Sequence, residues 1–319
     1  MDKKIPVIVV AGPTASGKTA LGVELARRLD GEVVSADSMQ IYQGMDIASA
    51  MPADDEMQGI PHHMLKFLPQ SERYSVAAYC QAANRIIADI VSRGKQPIIV
   101  GGTGLYINSL VDNIEFTQEE TDLVLREKLN KKLEEEGIGS VLAELEAVDP
   151  DSASRLHEND TKRIIRALEF YYQTGVTITE QARLSRLAGS PYTPLIIGLN
   201  AHDREFLYQR INKRVGIMAE NGLVEEAKKC LADKKATAAQ AIGHKELAPY
   251  FNGEITLDEA LDNLRQQTRR YAKRQLTWLR KDERVNWLYI DEYADFYALA
   301  DAAYNLCTEF LKGEENTNG

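Results

Sequence analysis

The stretch from Val9 to Leu29, "VVAGPTASGKTALGVELARRL", constrains the fold more than any other part of the chain. An apolar run leads into "GPTASGKT" at 12–19, which fits G-x-x-x-x-G-K-[ST], and an amphipathic pattern with Leu21, Leu25 and Leu29 follows. A strand, a glycine-bearing loop and a helix in that order aim backbone N–H groups and the positive helix end at an anion. Gly12, Pro13, Thr14, Ala15, Ser16, Gly17, Lys18 and Thr19 are therefore expected to bind a diphosphate or nucleotide. Lys18 serves as a point charge on the terminal phosphates and the Thr19 hydroxyl as a ligand of Mg2+. The loop alone leaves open whether the phosphate is transferred, hydrolysed or released as a leaving group.

Four further apolar runs share the character of the first: "EVVSA" (32–36), "PIIV" (97–100), "PLIIGL" (194–199) and "WLYI" (287–290). None alternates strictly, so each reads as a strand buried on both faces. Helical patterns separate them, as over 76–91, where Val76, Tyr79, Cys80, Ala83, Ile86, Ile87 and Ile90 recur at helical spacing. Strand and helix in alternation imply an α/β fold, a P-loop NTPase-like doubly wound parallel sheet, with its site at the carboxyl ends of the strands. Residues 113–190 carry helical patterns with no buried strand between them and read as a helical insertion domain. The catalytic core is then discontinuous, 1–112 and 191–312, and the polar residues 313–319 read as a disordered tail.

Charge and cysteine usage narrow the class. The net charge of −10 argues against a generic nucleic-acid binder, yet "LRQQTRRYAKRQLTWLRKDER" (264–284) holds eight Lys or Arg and two acids. That run also carries Tyr271, Trp278, Gln266, Gln267 and Gln275, which suit a nucleotide-contacting surface. Three widely spaced cysteines, Cys80, Cys230 and Cys307, form no finger or redox spacing and fit a reducing compartment. A first strand near Ile5 leaves no room for a signal peptide, and no apolar run approaches a membrane span. A cytoplasmic protein without an obligate protein partner is expected.

Several stretches at predicted strand ends carry chemistry. Asp37, just past the second strand, can be a magnesium ligand, a base taking a proton from an acceptor, or a structural cap. Ser38, Gln40 and Tyr42 beside it suit a second substrate better than a metal, since Gln can pair bidentately with adenine. "GGTGLY" after the third strand offers Thr103 in a bend where Gly101, Gly102 and Gly104 admit close approach. His62 and His63 are adjacent, point in different directions and fit a structural or substrate-entry loop. Arg163 and Arg166 share a helical face, with Lys162 one turn from Arg166. Arg210 and Arg214, an i, i+4 pair, are placed to neutralise charge on the phosphate side.

Taken together these stretches resemble one family, the tRNA dimethylallyltransferases, in its bacterial form. The resemblance rests on "GPTASGKT" at 12–19, "DSMQIY" at 37–42, "GGTGLY" at 101–106, "NDTKRIIRALE" at 159–169, "AIGHKE" at 241–246 and "TRRYAKRQLTWLR" at 268–280. It departs at His244, where the family commonly has Tyr; the ring is expected to be a contact. The resemblance implies transfer of a dimethylallyl group from dimethylallyl diphosphate to the N6 amine of the adenine 3′ of a tRNA anticodon, with release of diphosphate. On that reading Lys18, Thr19 and Mg2+ neutralise the diphosphate with Arg214 or Arg210 helping. Asp37 is the general base. Asp37, Ser38, Met39, Gln40 and Thr103 line the site of the tRNA anticodon stem-loop. Arg126, Thr161, Lys162, Arg163, Ile164 and Ile165 contact the tRNA from the insertion. Arg270 and Lys273 of the basic helix are expected to meet its phosphates. A P-loop small-molecule kinase and an RNA-binding NTPase switch are the rival readings; the kinase leaves "DSMQIY" and the basic helix without a task, and the switch predicts nucleotide-dependent RNA affinity.

Overall fold

The structure, a computed structural model, describes residues 4–114, 122–187, 189–232 and 237–317. The chain divides into two compact units, Met1–Val111 with Pro191–Gly319, and Asp112–Ser190.

The first unit is built on a sheet of six strands, β1 (Ile5–Ala11), β2 (Gly31–Ala36), β3 (His62–His63), β4 (Gln96–Gly101), β5 (Tyr192–Asn200) and β6 (Val285–Tyr289). Their spatial order is β3-β2-β4-β1-β5-β6, and each neighbouring pair is parallel. β1 lies at the middle of the sheet between β4 and β5 because Val7, Ile8, Val9 and Val10 have no exposed surface and need cover on both faces. Ile8 and Val10 join Leu21 and Leu25 of α1 (Lys18–Arg28) in a cluster that also takes in Leu299, Ala300, Ala303 and Cys307. β2 and β4 pack on α3 (Val76–Ser92) and α4 (Gly104–Val111) as well. A short α2 (Asp54–Met57) precedes β3. The five expected strands are present, and β3 adds a sixth where a loop is expected, because two residues carry no periodicity. His62 instead pairs with Val33, and the His63 ring lies 2.8 Å from the buried Glu32 carboxylate.

The Asp112–Ser190 unit contains α5 (Leu123–Val148), α6 (Pro150–Arg155), α7 (Thr161–Thr174) and α8 (Ile178–Leu187). α5 is broken at Gly137, whose φ of 79° is a left-handed conformation open chiefly to glycine. Its two halves and α7 bury Leu129, Val141, Leu145, Ile164 and Leu168 in one core. Asp149 caps α6 through the Ser152 amide and binds the Thr179 hydroxyl at 2.7 Å, tying α6 to α8.

Back in the first unit follow α9 (Arg204–Glu220), α10 (Leu223–Cys230), α11 (Ala248–Phe251), α12 (Leu257–Leu279) and α13 (Phe296–Thr317). α12 starts at a Thr256/Glu259 capping box. α13 runs on through Thr317, which corrects the expectation of a tail from 313; residues 318–319 lie outside those described. Among the described residues no helix is long and apolar enough to cross a membrane.

Candidate functional site

The carboxyl ends of β1, β2 and β4 converge because parallel register places Ala11, Ala36 and Gly101 level with one another. The loops leaving them are the phosphate loop, the segment from Asp37 and the bend holding Thr103. A narrow cavity opens at this point, lined in part by Lys18, Thr19, Asp37, Gln40, His62 and Gly101.

The phosphate loop is shaped for an anion. The first N–H groups of α1 lack intrahelical acceptors. The Ser16 hydroxyl is buried without a hydrogen-bond partner, a donor left for a ligand oxygen. Arg210 braces the loop: its Nε donates to the Ala15 carbonyl at 2.8 Å, and its Nη2 lies near Gly17. Lys18 retains some surface as a residue, but its ammonium is desolvated. That burial, together with the nearby Arg214 charge, draws its pKa down to about 8 against the opposing pull of Asp37. Burial likewise lowers the Arg214 pKa, while Asp37 supports its charge. Lys18, Arg214 and Asp37 thus sense one another, and two crowded cations favour a multiply charged anion between them.

Asp37 does two things at once. Its Oδ1 accepts from the Met39 amide at 2.8 Å and fixes the turn, while Oδ2 makes no hydrogen bond among the described residues. The cap and the base readings are therefore compatible on one side chain. Thr103 is stitched beside it: its Oγ1 accepts from the Ser38 amide at 3.0 Å and donates to Ser38 Oγ at 3.3 Å. Tyr271 completes this side, its hydroxyl interacting with Thr103 and Gln275; burial, and then the Asp37 charge, holds the phenol well above its ordinary value.

Other expected residues fall differently. The Gln40 amide faces inward, accepting from Ser35 Oγ at 2.8 Å and donating toward the Ser49 and Ala50 carbonyls, so its bidentate edge is already committed. Met39 packs on the Ile41–Tyr42–Met45 cluster. His244 is fully buried and no contact surface; its Nε2 lies 3.0 Å from Glu226, which accepts from the Ile47 and Ala48 amides and so braces the segment after Asp37.

Within the helical unit, Ile164 and Ile165 have their side chains in the core, which corrects their placement at an RNA surface; Lys162 and Arg163 are exposed. Arg126 donates from Nη2 to Glu169 at 2.6 Å, and Arg166 bonds the same carboxylate at 3.1 Å. Glu169 has no exposed surface, so Arg126 serves the interior of this unit first.

Sequence reasoning placed Gln275 on a nucleotide-facing surface; it is buried under the phosphate loop. The available signal was its position on the apolar stripe of α12, in helical phase with Leu264, Ala272 and Leu279. Trp278, one turn on, covers Gly104 so closely that an added Cβ there would stand 2.0 Å from the indole. Arg270 and Lys273 point outward and are exposed.

A magnesium ion requires hard oxygen ligands in octahedral array. No group of three His, Cys, Asp or Glu side chains that could hold a metal occurs among the described residues. Thr19 and Asp37 nonetheless line the same cavity, and an ion whose remaining ligands are diphosphate oxygens and water fits that sparse set.

Known proteins give this site a context. A family model described as IPP transferase matches residues 40–282. A tRNA dimethylallyltransferase of Caldanaerobacter subterraneus subsp. tengcongensis is 46% identical over 97% of this chain and 98% of its own length. That of Bacillus subtilis is 45% identical over 90% and 91%. The crystal structure of the full-length tRNA isopentenylpyrophosphate transferase from Bacillus halodurans matches with a TM-score of 0.74 and 39% identity, covering 99% of both chains. A eukaryotic dimethylallyltransferase acting on tRNA matches with a TM-score of 0.82 and 29% identity over 97% of this chain and 80% of that one.

Proposed function

The chain belongs to the tRNA dimethylallyltransferase family, and from that premise we propose how its own residues move a dimethylallyl group from dimethylallyl diphosphate to the N6 amine of the adenine 3′ of a tRNA anticodon. The observation that carries the reading is the sharing of one cavity by Lys18 and Thr19 of the phosphate loop and the Asp37 carboxylate. A phosphate clamp beside a free carboxylate oxygen suits a reaction in which the phosphate leaves and an amine attacks.

The amides of the loop, Ser16 Oγ and Lys18 hold the diphosphate, with Arg210 fixing the loop and Arg214 adding charge. Charge grows on the leaving oxygen as the allylic C–O bond breaks, and preorganised donors stabilise it there without reorganising. The Thr19 hydroxyl would help to hold a magnesium ion, which would supply further neutralisation of that charge. The electron pair of the broken bond departs with diphosphate. The N6 nitrogen forms the new C–N bond and passes its proton to Asp37 Oδ2, while Oδ1 stays in its turn with Met39. That acceptor matters because the N6 lone pair is delocalised into the ring and the amine is a weak nucleophile. Thr103 and Ser38 flank the amine, and reaching them requires the base to leave the anticodon-loop stack. Arg270 and Lys273, with Thr161, Lys162 and Arg163, serve the RNA backbone.

Purified protein is incubated with magnesium, dimethylallyl diphosphate and unmodified tRNA, and tRNA nucleosides are read by mass spectrometry. The expected product is prenylated adenosine. Asp37→Asn is expected to lower turnover at least about 100-fold with tRNA affinity nearly unchanged. Phosphoryl transfer from ATP to a small hydroxyl acceptor without prenyl transfer would overturn the reading.

A further inference from the structure

We propose that Gln275 is a positioning residue for the transfer, holding the phosphate loop and the Thr103 bend in register from beneath. Its Oε1 accepts from the Thr14 amide at 2.9 Å, and its Nε2 donates to the Gly102 carbonyl at 3.0 Å. One partner can only donate and the other can only accept, so the carboxamide orientation is fixed and a side chain offering both functions is required. Glutamate lacks the donor, and an apolar side chain would leave both backbone groups unsatisfied at a buried position.

The two loops joined by this bridge carry opposite halves of the reaction. Thr14 belongs to the loop that grips the leaving diphosphate. Gly102 precedes Thr103, which contacts Ser38 beside the proposed base. The bridge therefore sets the separation between leaving group and amine, which must be held to a fraction of an ångström for attack. The fit is tight: a Cβ at Gly102 would stand 2.2 Å from Gln275 Nε2. It also withdraws one loop amide, that of Thr14, from phosphate binding, narrowing the expected donors to those further along the loop.

Gln275 shares α12 with Arg270 and Lys273, which are exposed. Beside its contact with the Tyr271 hydroxyl, its partners are backbone groups of both substrate loops, so it acts on the distance between them. Loss of the bridge is expected to appear in kcat more than in KM.

The proposal rests on the prenyl-transfer reading above. Three full-length proteins decide it: the unchanged chain, Gln275→Met, which removes both hydrogen bonds at nearly constant shape, and Gln275→Glu, which keeps the acceptor for Thr14 but turns the donation to Gly102 into a repulsion between two oxygens. Thermal unfolding, hydrogen exchange of the Thr14 amide by NMR, and single-turnover prenyl transfer at saturating substrates are measured on each, together with KM. All three proteins are expected to unfold cooperatively. Thr14 should stay protected in the unchanged chain and in Gln275→Glu and lose protection in Gln275→Met. The rate should fall about 100-fold in Gln275→Met and also fall in Gln275→Glu, with KM for tRNA within about threefold. An unchanged rate in Gln275→Met, a loss confined to the KM for tRNA, or failure of both variants to fold would each overturn the positioning role. If the unchanged chain transfers no prenyl group, the functional reading fails; the Thr14 exchange, which needs no turnover, reports separately whether the bridge exists.

Discussion

Raising the pH from 7 to 9 should weaken magnesium diphosphate binding about tenfold through Lys18 alone. In the ligand-free chain, burial and then the Arg214 charge bring the Lys18 pKa down from 10.5 to about 8. A bound diphosphate lies against the ammonium and restores its preference for the charged form. The affinity then scales with the fraction of Lys18 already protonated, about nine-tenths at pH 7 and about one-tenth at pH 9. Holding the cation in the empty site costs about 3 kcal/mol at the usual conversion of a pKa difference, and the anion relieves that cost. The sign for folding is opposite to that for binding. The unfolded chain keeps the Lys18 proton up to about 10.5 and the folded one releases it near 8. Between those values the unfolded state binds more protons, and the Lys18 contribution to ligand-free stability rises with pH. Isothermal titration at pH 7, 8 and 9, run beside Lys18→Arg, isolates the effect because ionisation of diphosphate itself is common to both proteins. An identical pH dependence in the two would refute the reasoning.

Three more outcomes can be checked directly. Gly104→Ala drives a methyl into the Trp278 ring and should cost about 1–3 kcal/mol in urea unfolding, with prenyl transfer falling as the Thr103 bend shifts; an unchanged midpoint would show that α12 yields freely. Arg126→Ala leaves Glu169 with one cation where it had two and should destabilise the chain by about 1–3 kcal/mol; a loss of tRNA affinity at unchanged stability would return Arg126 to the RNA surface. Arg270→Ala or Lys273→Ala should weaken tRNA binding and reduce its salt slope by about one, and an unaltered slope for both would leave that face of α12 merely solvated.

The sheet was legible because its strands are fully apolar runs, and burial on both faces is written into each run independently of its neighbours. β3 was illegible because a two-residue strand exists only where Val33 and Val34 offer an edge. The loop at 12–19 was legible for a related reason: its polar groups are consecutive residues and a helix end. Gln40 illustrates the opposite case. Its chemistry suited adenine, but Ser35, Ser49 and Ala50 reach it first and use its amide. Arg126 carries the same lesson: its ion pair with Glu169 spans 43 residues, and a charged residue on an amphipathic helix reads as solvated until its packing partner is known.

By itself the sequence determined the parallel α/β sheet, the anion loop at 12–19 and the carboxylate at the next strand end, because each depends on residues close together in the chain. Tertiary structure decided which of the nearby polar groups are available. It lowered the pKa of Lys18 by burial beside Arg214, left one oxygen of Asp37 without a hydrogen bond among the described residues, and turned Gln275 from an expected surface residue into the bridge between Thr14 and Gly102. Those outcomes depend on desolvation and on partners as many as 261 residues apart, and neither quantity is defined until the chain has folded.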